Sequence, residues 1–544
     1  MQGKKWILVL IALLSLSLFI AGCGGTTPEP KQEAEAPKEP EVKEKVLVFA
    51  RGGDSVGLDP ANETDGESFY VSRNITDTLV DYEDDNTNII PGLAKTWEPK
   101  DKDGLIWVFN LREGVKFHDG TPLNAEAVKF NFDRWMFEDN AYRYEGEAYE
   151  YWGYMFGGYP GVVKEVRAVD ELTVEVELTQ PFAPFINNLG MPCFGISSPE
   201  AIKKYGKDFF KNPVGTGPFK FVEWLKDDKI VLEKNEDYWG EGPKLDKLIF
   251  RAIPDNSARL MELQAGTIDI MIGLSPEDAT IVEQDPNLQL LLRPSMNVGY
   301  LALHNEKEPF DNVLVRRALN HAIDKQALID AFYAGFAKTA KNPLPPSLWG
   351  YNDAIVDYEY DPAKAKALLA EAGYPNGFKT ELWAMPVARP YMPQPKEIAT
   401  AMQQQFAAVG VEAEIVTMDW GTYLEKGEFG EHSMYLIGWN GDNGDPDNFM
   451  YVLLDKDNAK VGSAGNFAFY KSDKVHDLLI AAQKETDQAK RAKLYEEAQV
   501  IIHEDAPWIP LVHSTPPIAA KKSVKNFIPH PTGGESTFWK VDIE

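Results

Sequence analysis

The chain has 544 residues, of which 44% are hydrophobic and 12% are aromatic. This is more chain than one hydrophobic core usually holds, so we expect two or three lobes. Its 84 acidic and 55 basic residues give a formal net charge of −29, which argues against nucleic acid and anionic lipid headgroups as partners.

The N-terminus has the pattern of an export signal. Two lysines precede an almost unbroken apolar run over residues 6–20, which is shorter than the roughly 20 residues that span a bilayer as a helix. An Ala-Gly pair then leads directly into Cys23. A positive start, a short apolar run and small residues before a cysteine resemble a bacterial lipoprotein signal. We predict a signal peptide over residues 1–22 and lipidation of Cys23; the alternative is an ordinary signal peptide with an incidental cysteine.

Residues 23–45 are predicted to form a disordered acidic tether. From residue 24 onward this segment has no aromatic residue and almost no branched aliphatic residue, while proline and charged residues dominate it. Such a composition cannot bury enough apolar surface to offset the entropy of ordering the chain. The composition after it is that of a globular protein. Cys193 is the only cysteine besides Cys23, so no internal disulfide is possible.

The globular part alternates between helix and strand patterns. Asn124 is predicted to cap a helix with an apolar inward face that includes Phe132 and Trp135. Residues 172–178 alternate apolar and polar side chains, which predicts a half-buried strand. This alternation over hundreds of residues favours α/β lobes over a sandwich or a bundle.

Further elements are predicted from caps and from apolar spacing. In chain order they are a helix capped by Asp311 with Val315, Ala318, Leu319, Ala322 and Ile323 inward, a helix from Asp361 and Pro362 to Gly373, a helix over residues 395–409 that stops at Gly410, a strand over residues 411–416, and a helix from Asp487 with Leu494, Ala498, Ile501 and Ile502 inward.

Five parts of the sequence occur in an order and spacing that carry a family resemblance. They are GLAKTW at 92–97 with WVFNLREGVKFHDGTP at 107–122, PVGTGPF at 213–219, NVGY at 297–300 with VRRALNHAID at 315–324, ARPY at 388–391, and GWNGDNGDPDNF at 438–449. Together they resemble the extracytoplasmic solute-binding proteins of family 5, the peptide and nickel class, from about residue 46 to the end. Within that family, the last two are similar to the dipeptide-binding proteins of ABC importers in particular.

The resemblance implies an α/β fold like that of type II periplasmic binding proteins, cluster C. Such a fold has two large lobes with a hinge and a cleft, plus a smaller extra lobe. The first lobe would take residues 46–76, 206–294 and 510–544. The smaller, family-specific lobe would take residues 77–205, and the third lobe residues 295–509.

The resemblance also implies a binding site. Asp442 would hold the ammonium group of a short peptide and Arg389 its carboxylate, with Tyr391, Trp439 and the backbone near Gly66 lining the pocket. These residue types suit the task, because a guanidinium donates two parallel hydrogen bonds to a carboxylate, while an aspartate accepts from an ammonium and neutralises it. Reading both ends would measure ligand length, since each residue of an extended peptide spans about 3.3–3.6 Å.

The chain departs from the dipeptide-binding pattern in two places. Residues 64–70 do not match the small hydroxyl residues of that pattern, and Met392 stands where asparagine is expected. Both departures bear on the preferred side chains of the ligand. Longer peptides, glutathione, a metal chelate and a sugar are therefore alternative ligands.

Other classes of function are weaker interpretations. A secreted hydrolase with paired carboxylates would draw on Asp442, Asp445 and Asp447, but no motif of a serine hydrolase or zinc peptidase is present. A calcium loop counted from Asp442 would place Leu453 at its twelfth, acidic position. The eight histidines show no metal-ligand spacing, and a surface adhesin or chaperone would lack a saturable small-ligand site. We expect no catalytic residue, no cofactor and no metal.

The expected partners follow from the implied family. We expect an extracytoplasmic monomer that closes on its peptide and docks on the permease subunits of an ABC importer. The lipid on Cys23 would hold it at the membrane.

Overall fold

The computed structural model describes residues 44–102, 104–144, 146–534 and 537–544. The predicted signal peptide, Cys23 and residues 24–43 of the predicted tether lie outside the described residues. Lys45, predicted to be the last residue of the tether, already belongs to the fold. Its backbone N–H donates to an Asp246 carboxylate oxygen at 2.7 Å, and its carbonyl accepts from the Asp246 backbone at 2.9 Å.

Most α-helices of the described residues begin at a side chain that accepts a hydrogen bond from the first turn, which satisfies one of the free backbone N–H groups there. In chain order the helices are α1 (Gly66–Ser72), α2 (Ala125–Met136), α3 (Glu150–Phe156), α4 (Phe185–Asn188), α5 (Pro199–Tyr205), α6 (Asn256–Ala265), α7 (Ala279–Gln284), α8 (Val313–Ala322), α9 (Lys325–Phe332), α10 (Pro362–Glu371), α11 (Pro395–Ala408), α12 (Trp420–Glu428), α13 (Asp447–Leu454), α14 (Asp473–Lys484) and α15 (Gln488–Asp505). Short 3-10 turns occupy Pro60–Asn62, Pro192–Phe194, Gly206–Lys211, Pro276–Asp278 and Lys456–Asn458.

The predicted helix caps are confirmed with one exception. Asn124, Asp361 and Asp487 each accept a backbone hydrogen bond at the start of α2, α10 and α15. The prediction of Asp311 as a cap is wrong, because the next residue takes that role: Asn312 Oδ1 accepts from Leu314 N at 2.9 Å. Both side chains are good caps, so the sequence pattern alone could not separate two adjacent candidates.

The strands of the described residues are short and mostly buried on at least one face. In chain order they are β1 (Val46–Arg51), β2 (Val80–Tyr82), β3 (Ile89–Pro91), β4 (Ala94–Pro99), β5 (Ile106–Leu111), β6 (Val163–Ala168), β7 (Thr173–Leu178), β8 (Phe219–Leu225), β9 (Lys229–Lys234), β10 (Lys247–Ala252), β11 (Ile270–Met271), β12 (Leu288–Leu292), β13 (Asn297–Leu303), β14 (Ala337–Thr339), β15 (Phe378–Trp383), β16 (Val411–Val416), β17 (Met434–Asn440), β18 (Trp508–Ser514), β19 (Pro517–Lys521), β20 (Val524–Lys525) and β21 (Asp542–Ile543). The predicted strands at 172–178 and 411–416 are confirmed as β7 and β16.

The described strands form five sheets, of which two are the two-stranded pairs β2-β3 and β20-β21. A seven-stranded sheet has the order β12-β19-β11-β1-β10-β9-β8, and a six-stranded sheet has the order β14-β18-β13-β17-β15-β16. Both are mixed: β10 runs parallel to β1 and antiparallel to β9 in the first, and β17 runs antiparallel to β13 and parallel to β15 in the second. A smaller antiparallel sheet has the order β4-β5-β7-β6. We name the three parts of the molecule the seven-stranded, six-stranded and four-stranded lobes.

The chain passes between the two larger sheets at two adjacent places. Residues 293–296 join β12 to β13, and Thr515 and Pro516 join β18 to β19. The two connections are in contact, because the Arg293 backbone N–H donates to the Pro516 carbonyl at 3.0 Å. Two short, neighbouring connections between large lobes form a hinge that absorbs their relative motion.

The molecule therefore has the predicted α/β architecture of two large lobes with a hinge and a cleft, plus a smaller lobe. The division into residue ranges stays a prediction. Its limit at 294 falls in the first connection, but its limit at 509 falls inside β18, which pairs with β14 as far as Ser514. In the described part of the chain, no helix combines the length and apolarity of a membrane-spanning segment.

Candidate functional site

The loop that joins β17 to α13, residues 441–446, carries the predicted ammonium ligand Asp442; we call it the acidic loop. Its fold follows from local side-chain bonds. Asn443 Oδ1 accepts from the Asp445 backbone, and Asp445 Oδ1 accepts from the Asp447 backbone, each at 3.0 Å. Such bonds shape turns without a ligand. These bonds make Asp445 a structural residue of the turn.

The Asp442 carboxylate is held between two neutral donors. Tyr151 Oη donates to its Oδ1 at 3.1 Å, and Asn448 Nδ2 donates to its Oδ2 at 3.0 Å. Asn448 also accepts from the Asp442 backbone at 3.0 Å and from Trp439 Nε1 at 2.9 Å. Burial raises the pKa of Asp442 to about 7, and the two hydrogen bonds oppose that rise. No lysine, arginine or histidine within the described ranges forms an ion pair with this carboxylate.

The other two aspartates of this segment have different surroundings. Asp445 forms a two-point ion pair with Arg491, with both nitrogen–oxygen distances at 2.7 Å. Asp447 is 5% exposed, accepts from Gln483 at 3.2 Å, and leaves its Oδ1 without a hydrogen bond from the described residues. Burial and the charge of Asp445 raise the pKa of Asp447 to about 8. Neither carboxylate is arranged as the partner of Asp442 in paired-carboxylate chemistry.

The predicted carboxylate ligand Arg389 begins a tight turn. Its backbone N–H donates to the Met392 carbonyl at 3.0 Å, and Met392 N donates back at 2.8 Å. Tyr333 Oη donates to the Tyr391 carbonyl of the turn at 3.0 Å, and Ser514 Oγ donates to the Pro390 carbonyl at 2.8 Å. The turn is thus fixed to the six-stranded lobe from two sides.

The side chains of this turn point in different directions. Met392 is fully buried, which explains why an apolar residue stands where the family pattern has asparagine. The Arg389 guanidinium lies over the Trp420 ring, 4.5 Å from its centroid, and no carboxylate of the described residues lies within ion-pair distance of it. Tyr391 packs on β17 at Gly438, where an added Cβ would overlap the tyrosine ring.

Gly66 is the first residue of α1, in the part of the chain adjoining the seven-stranded sheet. It is exposed, and a Cβ added there would meet no atom within 4 Å. Its neighbour Glu67 has a pKa raised by burial, while Arg51 and, from the six-stranded lobe, Arg389 lower it. The charge of Arg389 therefore acts on the α1 end that carries Gly66.

The predicted site residues are related to one another in three steps. Gly66 adjoins Glu67, whose pKa the charge of Arg389 lowers. Tyr391, two residues after Arg389, packs on β17 at Gly438, next to Trp439, and Trp439 and Asp442 both hydrogen-bond to Asn448. The sequence did not identify Tyr151, Asn448 or Glu67 as site residues, and it offers Trp420 only as a pocket wall or a core residue. Asn448 lies in the GWNGDNGDPDNF segment and could have been found there, whereas Tyr151 and Trp420 lie in no recognised motif.

Two other features lie apart from these residues. Asp455, Asp457 and His476 form a group of possible metal ligands, in which His476 Nδ1 is 3.0 Å from both Asp455 carboxylate oxygens; an imidazole–carboxylate hydrogen bond accounts for this geometry. A cavity of about 290 Å³ is lined by Glu277, Asp330 and Gln394, among others, and contains none of the predicted site residues.

Comparison with known proteins gives the family. A model of the bacterial extracellular solute-binding proteins, family 5 (middle), matches residues 88–460. The chain belongs to this family. It is 41% identical to the dipeptide-binding protein of Escherichia coli (strain K12), over 92% of this chain and 95% of that protein. It is also 39% identical to heme-binding protein A of Haemophilus influenzae, over 98% of each chain.

A solved structure of the family agrees with the fold. A periplasmic binding protein associated with an ABC transporter of Helicobacter pylori, solved in complex with the peptide STSA, superposes with a TM-score of 0.84. That protein is 40% identical, and the match covers 92% of this chain and 98% of that one. Like its family, this chain is an extracytoplasmic solute-binding protein and not an enzyme.

Proposed function

We propose that this solute-binding protein captures short peptides, dipeptides above all, by binding both charged termini in a cleft that closes on the ligand. The observation that carries the proposal is the pair of unpartnered charges. Asp442 is an enclosed carboxylate without a cation, and Arg389 is a guanidinium without a carboxylate, among the residues described. The dipeptide-binding relative and the peptide-bound structure support the same conclusion.

Asp442 receives the ligand's ammonium group. A carboxylate offers about four lone-pair sites, and Tyr151 and Asn448 occupy two of them. The remaining sites accept from the ammonium, whose positive charge offsets the cost of enclosing an anion. Heme-binding protein A shows that a similar chain has a different ligand. A peptide is proposed for this chain because a zwitterion with separated charged ends engages both Asp442 and Arg389, which a ligand with a single charge does not.

Arg389 receives the ligand's carboxylate. Its planar guanidinium donates two parallel hydrogen bonds, and stacking on Trp420 restricts its orientation. Tyr391, Trp439 and the backbone near Gly66 line the space between the two charges. Because the turn and the acidic loop are both fixed to the six-stranded lobe, the separation of the charges sets the length of peptide that engages both.

The cell-level part of the proposal concerns partners and location. The protein acts as a monomer and delivers its ligand to the permease subunits of an ABC importer. Cys23 carries the lipid that anchors it to the membrane, and residues 23–43 form the tether. Support for the anchor is the N-terminal sequence pattern alone.

Calorimetry on the purified protein, denatured and refolded to remove any bound ligand, tests the proposal. The ligands are an L,L-dipeptide, its C-terminal amide, its N-acetylated form and a pentapeptide. We expect tight binding of the free dipeptide and weak binding of the other three. Equal binding of the amide or of the pentapeptide would contradict the two-ended site and would direct the search to glutathione, metal chelates and sugars.

Matched variants assign the two roles. D442N and R389M should each weaken dipeptide binding by roughly 30-fold to several thousandfold, the effect of removing one partner of a buried charge pair. D447N is the control, because Asp447 lies five residues from Asp442, is less exposed than Asp442, and has a pKa of about 8. It should therefore bind the dipeptide as the native protein does. Native affinity in D442N would refute the assignment.

A further inference from the structure

One side chain reaches the ammonium site from outside the six-stranded lobe. Tyr151 lies on α3, whose Trp152 and Phe156 pack against Trp135 of α2 and Phe185 of α4 at ring distances of 6.2 and 6.1 Å. These contacts place α3 in the four-stranded lobe. Yet Tyr151 Oη donates to Asp442 Oδ1 at 3.1 Å, across 291 residues of sequence.

We propose that Tyr151 is a positioning residue of the ammonium site: its hydroxyl aims the Asp442 carboxylate at the ligand and favours its ionised form, so that the four-stranded lobe is part of the binding site. The inference rests on the proposed function and adds to it a residue and a lobe.

The position of the Tyr151 hydroxyl is determined by packing. Tyr151 is 6% exposed, and its ring lies 5.9 Å from Phe69 of α1 and 6.4 Å from Tyr154 of its own helix. A buried tyrosine held between rings has few alternative rotamers. Its hydroxyl is therefore a fixed donor and does not need to be ordered when a ligand arrives.

The second donor approaches from the opposite side of the carboxylate. Asn448 binds Oδ2, and Tyr151 binds Oδ1. With each oxygen held by one donor, the carboxylate cannot rotate, and its two free lone pairs keep one direction. An ammonium with three N–H groups meets an acceptor that is already oriented, which lowers the entropic cost of binding.

The same hydrogen bond favours the ionised form of Asp442, since a donor stabilises a carboxylate more than a carboxylic acid. The titratable groups around this contact are few. Tyr151 is the titratable group that faces Asp442 from α3; behind it lie Cys193 and Tyr154. The other aspartates of the segment, Asp445 and Asp447, are coupled to Arg491 and to each other instead. None of the groups named here that face Asp442 is a cation, so only the neutral donors Tyr151 and Asn448 oppose protonation of Asp442.

The test compares Y151F with Y154F. Y151F removes the hydroxyl and keeps the ring packing. Y154F removes a hydroxyl on the same helix that faces Glu150 and Glu428 instead of Asp442. The dissociation constant of the L,L-dipeptide is measured by calorimetry from pH 5 to 8, and again for the desamino analogue, which has no ammonium.

For Y151F we expect dipeptide affinity at pH 7 to fall about tenfold to hundredfold, as for loss of a hydrogen bond to a charged group. The pH below which binding declines should move upward, and the desamino analogue should bind as it does to the native protein. Y154F should match the native protein in all three respects.

The proposal fails if Y151F binds the dipeptide with an unchanged pH midpoint. It also fails if the substitution weakens binding of the dipeptide and of the desamino analogue equally. Either result is what a tyrosine with a purely structural role would give. D442N separates this failure from failure of the proposed function. If D442N loses the dipeptide while Y151F behaves as native, only the role of Tyr151 is refuted. If D442N binds normally, the ammonium site itself is misassigned.

Discussion

Arg491 and Asp445 form a two-point ion pair in which both nitrogen–oxygen distances are 2.7 Å and both side chains are almost fully buried. Arg491 lies on α15, and Asp445 lies in the acidic loop three residues from Asp442. The Arg491 guanidinium also stacks on Trp349, whose indole donates to the Gly444 carbonyl at 3.0 Å. The loop is thus held from the interior of the six-stranded lobe as well as by its own turns.

R491M should therefore lower the free energy of unfolding by about 3–5 kcal/mol, because it leaves a buried carboxylate without its partner. The double variant D445N/R491M should be more stable than R491M, since it also removes the stranded charge. Chemical denaturation monitored by fluorescence measures both. K379M is the control: its Lys379–Glu412 pair has a similar distance, 2.8 Å, but is largely exposed, and its loss should cost under about 1 kcal/mol. Equal effects of R491M and K379M would contradict the prediction.

Asp447 should make the protein less stable as the pH rises from about 4 to 8. Its pKa is about 8 in the folded protein, against 3.8 ordinarily. Within that window the unfolded chain has lost the proton and the folded protein still holds it, so stability falls with rising pH by up to about 1.4 kcal/mol per unit. The side chain in D447N cannot ionise, and its free energy of unfolding should decline less between pH 5 and 8.

D170N is the control for that experiment. Asp170 is exposed, and hydrogen bonds lower its pKa. Its contribution to the free energy of unfolding is therefore fully present above the pKa of the unfolded chain and is constant between pH 5 and 8. The change of the free energy of unfolding with pH should be the same in D170N as in the native protein. If D447N also shows the native pH dependence, Asp447 titrates normally.

Gly66 tests whether α1 lines the ligand space. An added Cβ has no neighbour within 4 Å at Gly66 or at Gly242, so both G66V and G242V should fold with nearly native thermal stability. G66V should weaken dipeptide binding at least tenfold by occupying the cleft, whereas G242V should bind normally. Normal binding by both variants would remove Gly66 from the site.

Arg389 lies over the Trp420 ring, and if this contact orients the guanidinium toward the ligand, W420L should weaken dipeptide binding. A cation–π contact is worth about 0.5–2 kcal/mol, which corresponds to roughly twofold to 30-fold in the dissociation constant. W539L provides a matched control, because Lys540 lies over Trp539 at the same 4.5 Å but outside the predicted site. If calorimetry gives W420L and W539L the same dissociation constant for the dipeptide as the native protein, Trp420 has no orienting role.

Local structure could be predicted where one residue type determines it. The caps Asn124, Asp361 and Asp487 each mark a helix start because their side chains accept first-turn N–H groups. The inward face of α15 shows where this reasoning ends. Leu494 and Ile501 are only half-buried, whereas Arg491, Tyr495 and Gln499 are buried. Arg491 bonds to Asp445 and Gln499 to the Gly350 carbonyl, and apolar spacing does not reveal such contacts with distant segments.

The candidate site was predictable in part. Asp442 and Arg389 lie in segments that resemble the family, and neither forms an ion pair with another of the described residues. Tyr151 contributes through a contact that depends on how one lobe meets another. Strand order likewise depends on pairings such as β1 with β10, about 200 residues apart, which no local pattern specifies.

The order of the seven-stranded sheet has a consequence for biogenesis. Its central strand, β1, comes from the start of the described chain, but it pairs with β10 and β11, and β11 is paired in turn with β19 near the C-terminus. β1 has both of its partner strands once residue 271 has been synthesised, but β11 and β12 lack β19 until residue 521 has followed. Closing such long loops is slow, so the seven-stranded sheet stays incomplete for most of the synthesis of the chain. That delay suits a protein that must cross a membrane as an unfolded polypeptide and fold on the other side.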